Sequence, residues 1–188
     1  MRITGGAARG RSLRAPRGSR VRPTADKVRA AIFNILQNRT EIEGRHWLDL
    51  FCGTGAVGLE ALSRGAAHVV LVDGSRESCR VARENLTRSG FADRGEIRRL
   101  PLPEGLRPLE RSGLRFDGVF VDPPYRQGLA QATLERLGEG ILLAPGALVV
   151  VEFAVDEVLA EGYGRLEHTG SRRYGTTAVA LYTNVEES

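Results

Sequence analysis

The chain has 188 residues, of which 41% are hydrophobic and 27% charged, with a formal net charge of +4, two cysteines and three histidines. This is the size and balance of one globular domain with at most a small appendage, and two cysteines exclude a disulfide-stapled scaffold. No apolar run reaches the roughly 18 residues of a membrane span, and the amino terminus carries no apolar signal core, so a cytoplasmic protein without a membrane partner is expected.

Charge is unevenly placed. Residues 1–45 carry 11 basic and three acidic side chains, a balance of +8, while residues 46–188 balance at −4. The expected organisation is a basic amino-terminal extension, 1–45, followed by a main domain, 46–188. Such an asymmetry points to a polyanion partner. The alternative is a solvated arm in a chain that uses Arg in place of Lys. Arginine's planar fork suits phosphates and stacks on bases, so the bias is compatible with RNA.

In chain order, residues 1–6 are β-like, 7–10 read as a turn, and 11–14 could pair back as a hairpin strand. Residues 16–23 read as a loop. Thr24 is placed to cap a helix over 24–37, on which Val28, Ala31, Ile32, Ile35 and Leu36 recur at helical spacing. Next, residues 46–62 read as a strand, a glycine-rich turn and a helix. The turn contains Gly53-x-Gly55-x-x-Gly58, which matches a dinucleotide fingerprint, with Asp73 following at a fitting distance. Asp49 argues against a dinucleotide. A carboxylate at the strand end would repel a pyrophosphate, but it would attract a ligand that carries an amino group and a sulfonium. S-adenosylmethionine has both. The glycines would let the backbone approach it closely.

Residues 68–73 predict a second strand that ends in Asp73, placed to accept from both hydroxyls of a ribose; the bland alternative is a surface-turn Asp. Ser75 is expected to cap a helix over 75–89, with Cys79, Ala82 and Leu86 facing inward. Cys79 reads as a buried, inert thiol. A third strand is expected over 96–100, a loop over 101–112, and a fourth strand over 116–121. A helix over 129–137 and a fifth, strongly apolar strand over 146–153 follow. Two further β-like stretches, 164–169 and 176–183, have little helix between them. The alternation predicts an α/β fold, a Rossmann-like, seven-stranded, mostly parallel sheet with helices on both faces and an antiparallel last strand.

The fourth strand runs into Asp122-Pro123-Pro124-Tyr125. The prolines end the ladder and stiffen the turn, at the strand end where open α/β sheets build their sites. The turn offers a carboxylate, proline carbonyls and an aromatic face, a set that suits a flat group with an exocyclic amine. Asp122 and the carbonyl of Pro123 can accept the two amine hydrogens, and Tyr125 can stack on the ring. Such a grip would aim the amine's delocalised lone pair at an electrophile. A charge-assisted bond of about 1.5–3 kcal/mol helps only if it strengthens in the transition state. The bland alternative is a strand ending in a proline turn.

The pair Asp49-Leu-Phe-Cys-Gly-Thr-Gly and Asp122-Pro-Pro-Tyr resembles the S-adenosylmethionine-dependent amino-methyltransferases. The start is more specific. Met1-Arg2-Ile3, Gly6, Arg9-Gly10-Arg11 and Leu13, then Arg22-Pro23-Thr24, Asp26, Val28-Arg29, Phe33-Asn34 and Leu36, resemble the RsmD family, enzymes that methylate guanine N2 in 16S ribosomal RNA. The resemblance implies cofactor contacts from Asp49, Cys52, Gly53, Gly55 and Asp73, and base handling by Asp122, Pro123, Pro124 and Tyr125. It implies RNA binding by the basic arm, including Arg9, Arg11 and Arg22, with the small ribosomal subunit or its assembly intermediate as partner. No metal is expected, since the histidines and cysteines lack ligand spacing, and a monomer is expected. The family usually has Asp or Asn followed by Ala after the third strand, to meet the adenine amine. Here residues 97–101 read Ile-Arg-Arg-Leu-Pro, so adenine recognition would fall to backbone near Leu100. Alternatives are a DNA or RNA adenine-N6 methyltransferase, disfavoured by the lack of a target-recognition domain, a nicotinamide-dependent oxidoreductase, and a non-catalytic RNA-binding protein on a methyltransferase fold.

Overall fold

A computed structural model of the chain describes residues 1–15 and 23–185. The chain divides into two compact units, residues 1–99 and 100–188. The basic residues at the amino terminus lie in the first unit.

In the first unit, helix α1 (Pro23–Gln37) precedes strand β1 (His46–Leu50), helix α2 (Ala56–Ser63), strand β2 (His68–Asp73), helix α3 (Arg76–Ser89) and strand β3 (Gly95–Arg99). The strands lie in the order β3-β2-β1, all parallel, with Leu48 opposite Val70 and Leu71 opposite Ile97. Val69, Val70, Leu71 and Val72 are all fully buried, as expected of a parallel strand covered on both faces. Thr24 lies inside α1, one residue past its first, rather than capping it. Pro23 explains the earlier start, since proline's missing N–H and fixed φ suit the first helical position. Ser75 does cap α3, accepting from the Ser78 amide at 3.2 Å. Cys79, Ala82 and Leu86 face inward as read.

The arm pairs back on itself, with Ile3 N–H donating to the Arg11 carbonyl and Gly10 N–H to that of Ile3. Only one bridge, Arg2 to Ser12, has β character, so the hairpin is a looped turn rather than two strands. What holds it is α2. Glu60 is completely buried, where an unpaired carboxylate would be costly. It accepts from Thr4 N–H and Thr4 Oγ1, both at 2.7 Å, and from Arg64 Nε at 3.0 Å, and forms ion pairs with Arg64 Nη2 at 2.9 Å and Arg29 Nε at 3.5 Å. Arg29, itself buried, also donates to the Arg2 carbonyl and pairs with Asp26. One ionic cluster therefore binds the arm, α1 and α2.

In the second unit, a short helix α4 (Leu106–Glu110) is followed by strand β4 (Phe116–Val121), helix α5 (Leu129–Glu139) and strands β5 (Leu143–Ala154), β6 (Gly162–Tyr163), β7 (Leu166–Tyr174) and β8 (Thr177–Asn184). β4 and β5 are parallel; β8 is antiparallel to β5 and to β7, and β6 is antiparallel to β7. The described residues thus carry eight strands, where seven were expected. The addition is β6, two residues long and too short to show a periodicity. Residues 101–112, read as a loop, contain α4, whose Leu106 and Leu109 are buried; at five residues it is also below the length that periodicity detects. The antiparallel last strand is as predicted. Among the described residues, no helix is long and apolar enough to cross a membrane.

Candidate active site

The first candidate site, in the first unit, is the turn between β1 and α2. Phe51, directly after β1, has φ +60° although it is not a glycine, a conformation that costs energy and clusters at functional turns. Gly53 and Gly55 follow at φ +54° and +77°. A Cβ on Gly53 would meet nothing within 4 Å, so its backbone borders open space. A Cβ on Gly55 would lie 3.0 Å from Leu71 Cδ2 and 3.3 Å from Ala82 Cβ. The first glycine faces outward; the second lets the turn pack onto β2 and α3.

Asp49 is only 2% exposed. Its Oδ2 accepts from the Gly58 amide at 2.9 Å. Gly58 is the third residue of α2, whose cap, Gly55, has no side chain to offer. The carboxylate of β1 therefore caps the helix from outside, satisfying one of its unpaired amides. A Cβ on Gly58 would lie 2.9 Å from Leu71 Cδ2 and 3.1 Å from Asp49 Oδ2, so a larger residue would press on the side chain that caps the helix. Burial first of all, and the nearby Asp73 in addition, raise the Asp49 pKa to about 7, against the lowering effect of the Gly58 bond. A buried acid with its pKa moved toward neutrality, beside a glycine turn, marks a candidate functional position.

Asp73 ends β2. Its two oxygens accept from Gly53 N–H at 2.9 Å and Ser75 N–H at 2.8 Å. Both partners are backbone, so the carboxylate is held in one orientation beside the outward-facing glycine, with lone pairs to spare for hydroxyl donors. Cys52 is buried, its amide bonded to the Val72 carbonyl at 3.0 Å. Burial, with Asp49 and Asp73 behind it, pushes its thiol far up, which makes it a packing group rather than a nucleophile. Leu100 is half-buried immediately after β3.

The second candidate site, in the second unit, is the turn after β4. Asp122 is exposed, Pro123 buried, Pro124 exposed and Tyr125 half-buried. Tyr125 Oη donates to Glu152 Oε1 at 2.6 Å and lies 3.1 Å from Thr177 Oγ1. Burial and the bond to Glu152 push the phenol up, so it stays protonated and its ring is fixed by two strands, β5 and β8.

Arg9 and Arg11 are exposed on the arm, and Arg11 Nη1 reaches the Arg88 carbonyl at 2.9 Å. Arg22 lies outside the described residues. The arm is also tied to the glycine turn. The Asn85 amide, buried on α3, exchanges hydrogen bonds with the Arg14 backbone and donates to the Thr54 carbonyl at 3.0 Å. Asn85, Glu152 and Thr177 were not singled out from the sequence, and Gly58 was named there only as the last glycine of the fingerprint match. Glu152 did leave a signal: it is the one charged residue in β5.

The family model described as "Conserved hypothetical protein 95" matches residues 1–183. The chain is 35% identical over 182 residues to the putative rRNA methyltransferase YlbH of Bacillus subtilis (strain 168), covering 97% of this chain and 98% of that protein. It is 38% identical over 161 residues to ribosomal RNA small subunit methyltransferase D of Escherichia coli (strain K12), covering 85% of this chain and 77% of that one. Among solved structures it is similar to the putative methyltransferase yhhF from Escherichia coli, with a TM-score of 0.83, 34% identity, and coverage of 100% of this chain and 99% of the other.

Proposed function

The chain belongs to the Conserved hypothetical protein 95 family, the RsmD family of ribosomal RNA methyltransferases, and from that premise we propose that it transfers a methyl group from S-adenosylmethionine to the exocyclic N2 of a guanine in 16S rRNA. The observation that carries this reading is the pairing of two motifs in one chain: a carboxylate-flanked glycine turn and Asp122-Pro123-Pro124-Tyr125. The first fits S-adenosylmethionine. Asp73, held by Gly53 and Ser75, suits the ribose hydroxyls; Asp49 suits the positive amino-acid end; Gly53 and Gly55 admit close backbone approach beside Cys52; adenine recognition falls to backbone near Leu100. The cofactor supplies an electrophilic methyl, which passes to the N2 lone pair as the sulfonium becomes a thioether and a proton leaves N2.

The remaining work falls to the protein. Asp122 and the Pro123 carbonyl accept the N2 hydrogens and turn the lone pair out of conjugation, while Tyr125 stacks on a base that has left its helix. Pro124 stiffens the turn. Arg9, Arg11 and Arg22 hold RNA phosphates, with residues 1–45 serving as the RNA-binding extension of a methyltransferase domain. The substrate is the small subunit or an assembly intermediate, in the cytoplasm, and the enzyme acts as a monomer without a metal.

The test is transfer from labelled S-adenosylmethionine to small subunits from cells lacking this protein, followed by nucleoside analysis. Label in N2-methylguanosine is the expected result. Label in N6-methyladenosine would keep the chemistry and replace the substrate.

A further inference from the structure

We infer that Glu152 is a specificity residue of the target-base pocket, reading guanine N1–H while Asp122 takes the adjacent N2 amine. The inference rests on the guanine-N2 reading above and adds to it the means of choosing the base.

The strand register places the two acids together. Phe120 pairs with Val150 and Val121 with Val151 on parallel strands. Asp122 directly follows β4 and Glu152 is the next residue of β5, so both acids stand just past the last paired residues of two neighbouring parallel strands. Glu152 reaches the hydroxyl of Tyr125 at 2.6 Å, at the rim of the ring that is to stack on the base. Asp122 and Glu152 both act on that phenol, each raising its pKa. Packing does not account for an acid here: Val149, Val150 and Val151 before it and Phe153 and Ala154 after it are all buried. Holding Tyr125 would need only a neutral acceptor, a role that Thr177 Oγ1 can itself fill at 3.1 Å.

The chemistry of the bases supplies the rest. Guanine presents N1–H and N2–H as neighbouring donors on one edge, and two neighbouring carboxylates match that edge. Adenine presents its amine beside N1, which is an acceptor. A carboxylate facing that lone pair is repelled, so the same residue attracts one base and rejects the other. A carboxylate has two oxygens and about four acceptor sites, so accepting from Tyr125 is compatible with accepting from N1–H.

The experiment uses small subunits reassembled on rRNA with either guanosine or 2-aminopurine riboside at the methylated position. 2-Aminopurine keeps the N2 amine but has an unprotonated N1. kcat/KM for both substrates is measured with the wild-type enzyme, Glu152→Gln and Tyr125→Phe. Each ratio comes from one preparation, so differences in the folded fraction cancel. The wild type is expected to prefer guanosine, and Glu152→Gln to shrink that preference at least tenfold, because its amide can donate to N1. The change with Glu152 is decisive, since 2-aminopurine also lacks O6. Tyr125→Phe is expected to lower both rates and keep the preference. If Glu152→Gln lowers both rates equally, Glu152 only positions Tyr125 and the inference is overturned. If the wild type makes no N2-methylguanosine at all, the guanine reading itself fails, a result distinguishable from the first.

Discussion

Replacing Asp49 by Asn should make the protein more stable and a poorer binder of S-adenosylmethionine. The carboxyl titrates near 3.8 when unfolded and at about 7 in the folded chain. The folded state therefore binds the extra proton between those values, and stability falls as pH rises through them. The penalty is about 2 kcal/mol at pH 5 and about 4 kcal/mol at pH 8. Asparagine keeps an oxygen for the Gly58 amide, so the cap on α2 survives while the buried charge does not. Urea denaturation of both proteins should show the variant's advantage growing by roughly 2–3 kcal/mol from pH 5 to pH 8. The cofactor's positive charge favours ionised Asp49, so wild-type affinity should weaken by up to about tenfold per pH unit below neutrality, and the Asn variant should lose most of that dependence. A stability difference that stays flat from pH 5 to pH 8 would show that Asp49 carries no raised pKa and would refute the reasoning.

Asp122→Ala should cut methyl transfer by at least about tenfold, the worth of one charge-assisted hydrogen bond, and leave calorimetric S-adenosylmethionine binding unchanged. Near wild-type turnover would remove Asp122 from the chemistry. Glu60→Gln leaves Arg64 beside a neutral amide and Arg29 with Asp26 as its remaining acid; breaking a buried pair typically costs up to about 3–5 kcal/mol. The melting temperature should fall, and protease cleavage within residues 1–15 should speed up. Gly58→Ala puts a Cβ 2.9 Å from Leu71 Cδ2 and 3.1 Å from Asp49 Oδ2; the displaced Asp49 should weaken cofactor binding in the same titration, while the gain in helix propensity offsets the crowding in stability. Neutralising Arg9, Arg11 and Arg22 together should flatten the salt dependence of RNA binding by about 0.9 per lost phosphate contact; an unchanged slope would take the arm out of the interface.

Much of the molecule was legible locally. β2 and β4 show as runs of β-branched and aromatic residues, α3 by its cap and inward stripe, the turn proposed for the cofactor by glycines between two acids, and the turn proposed for the base by prolines that end a strand. These signals are short-range: φ preference, side-chain period and caps are set by neighbours within a few residues. The sequence also supplied the chemical types, two acids for a cationic nucleoside and an acid with an aromatic for an amine.

What it could not supply was which distant groups meet. That Asp49 caps α2 through Gly58, that Glu60 binds the arm to α1 and α2, and that Glu152 stands beside Tyr125 all depend on strand register and helix docking. Asp49 and Glu60 are acids whose burial is tolerable only because folding brings amides or guanidinium groups to them. A carboxylate in a sequence reads as solvated until its partners are known. The sequence by itself therefore determined the chemistry that is present, and the tertiary structure decided which of those charges are buried and by whom they are held.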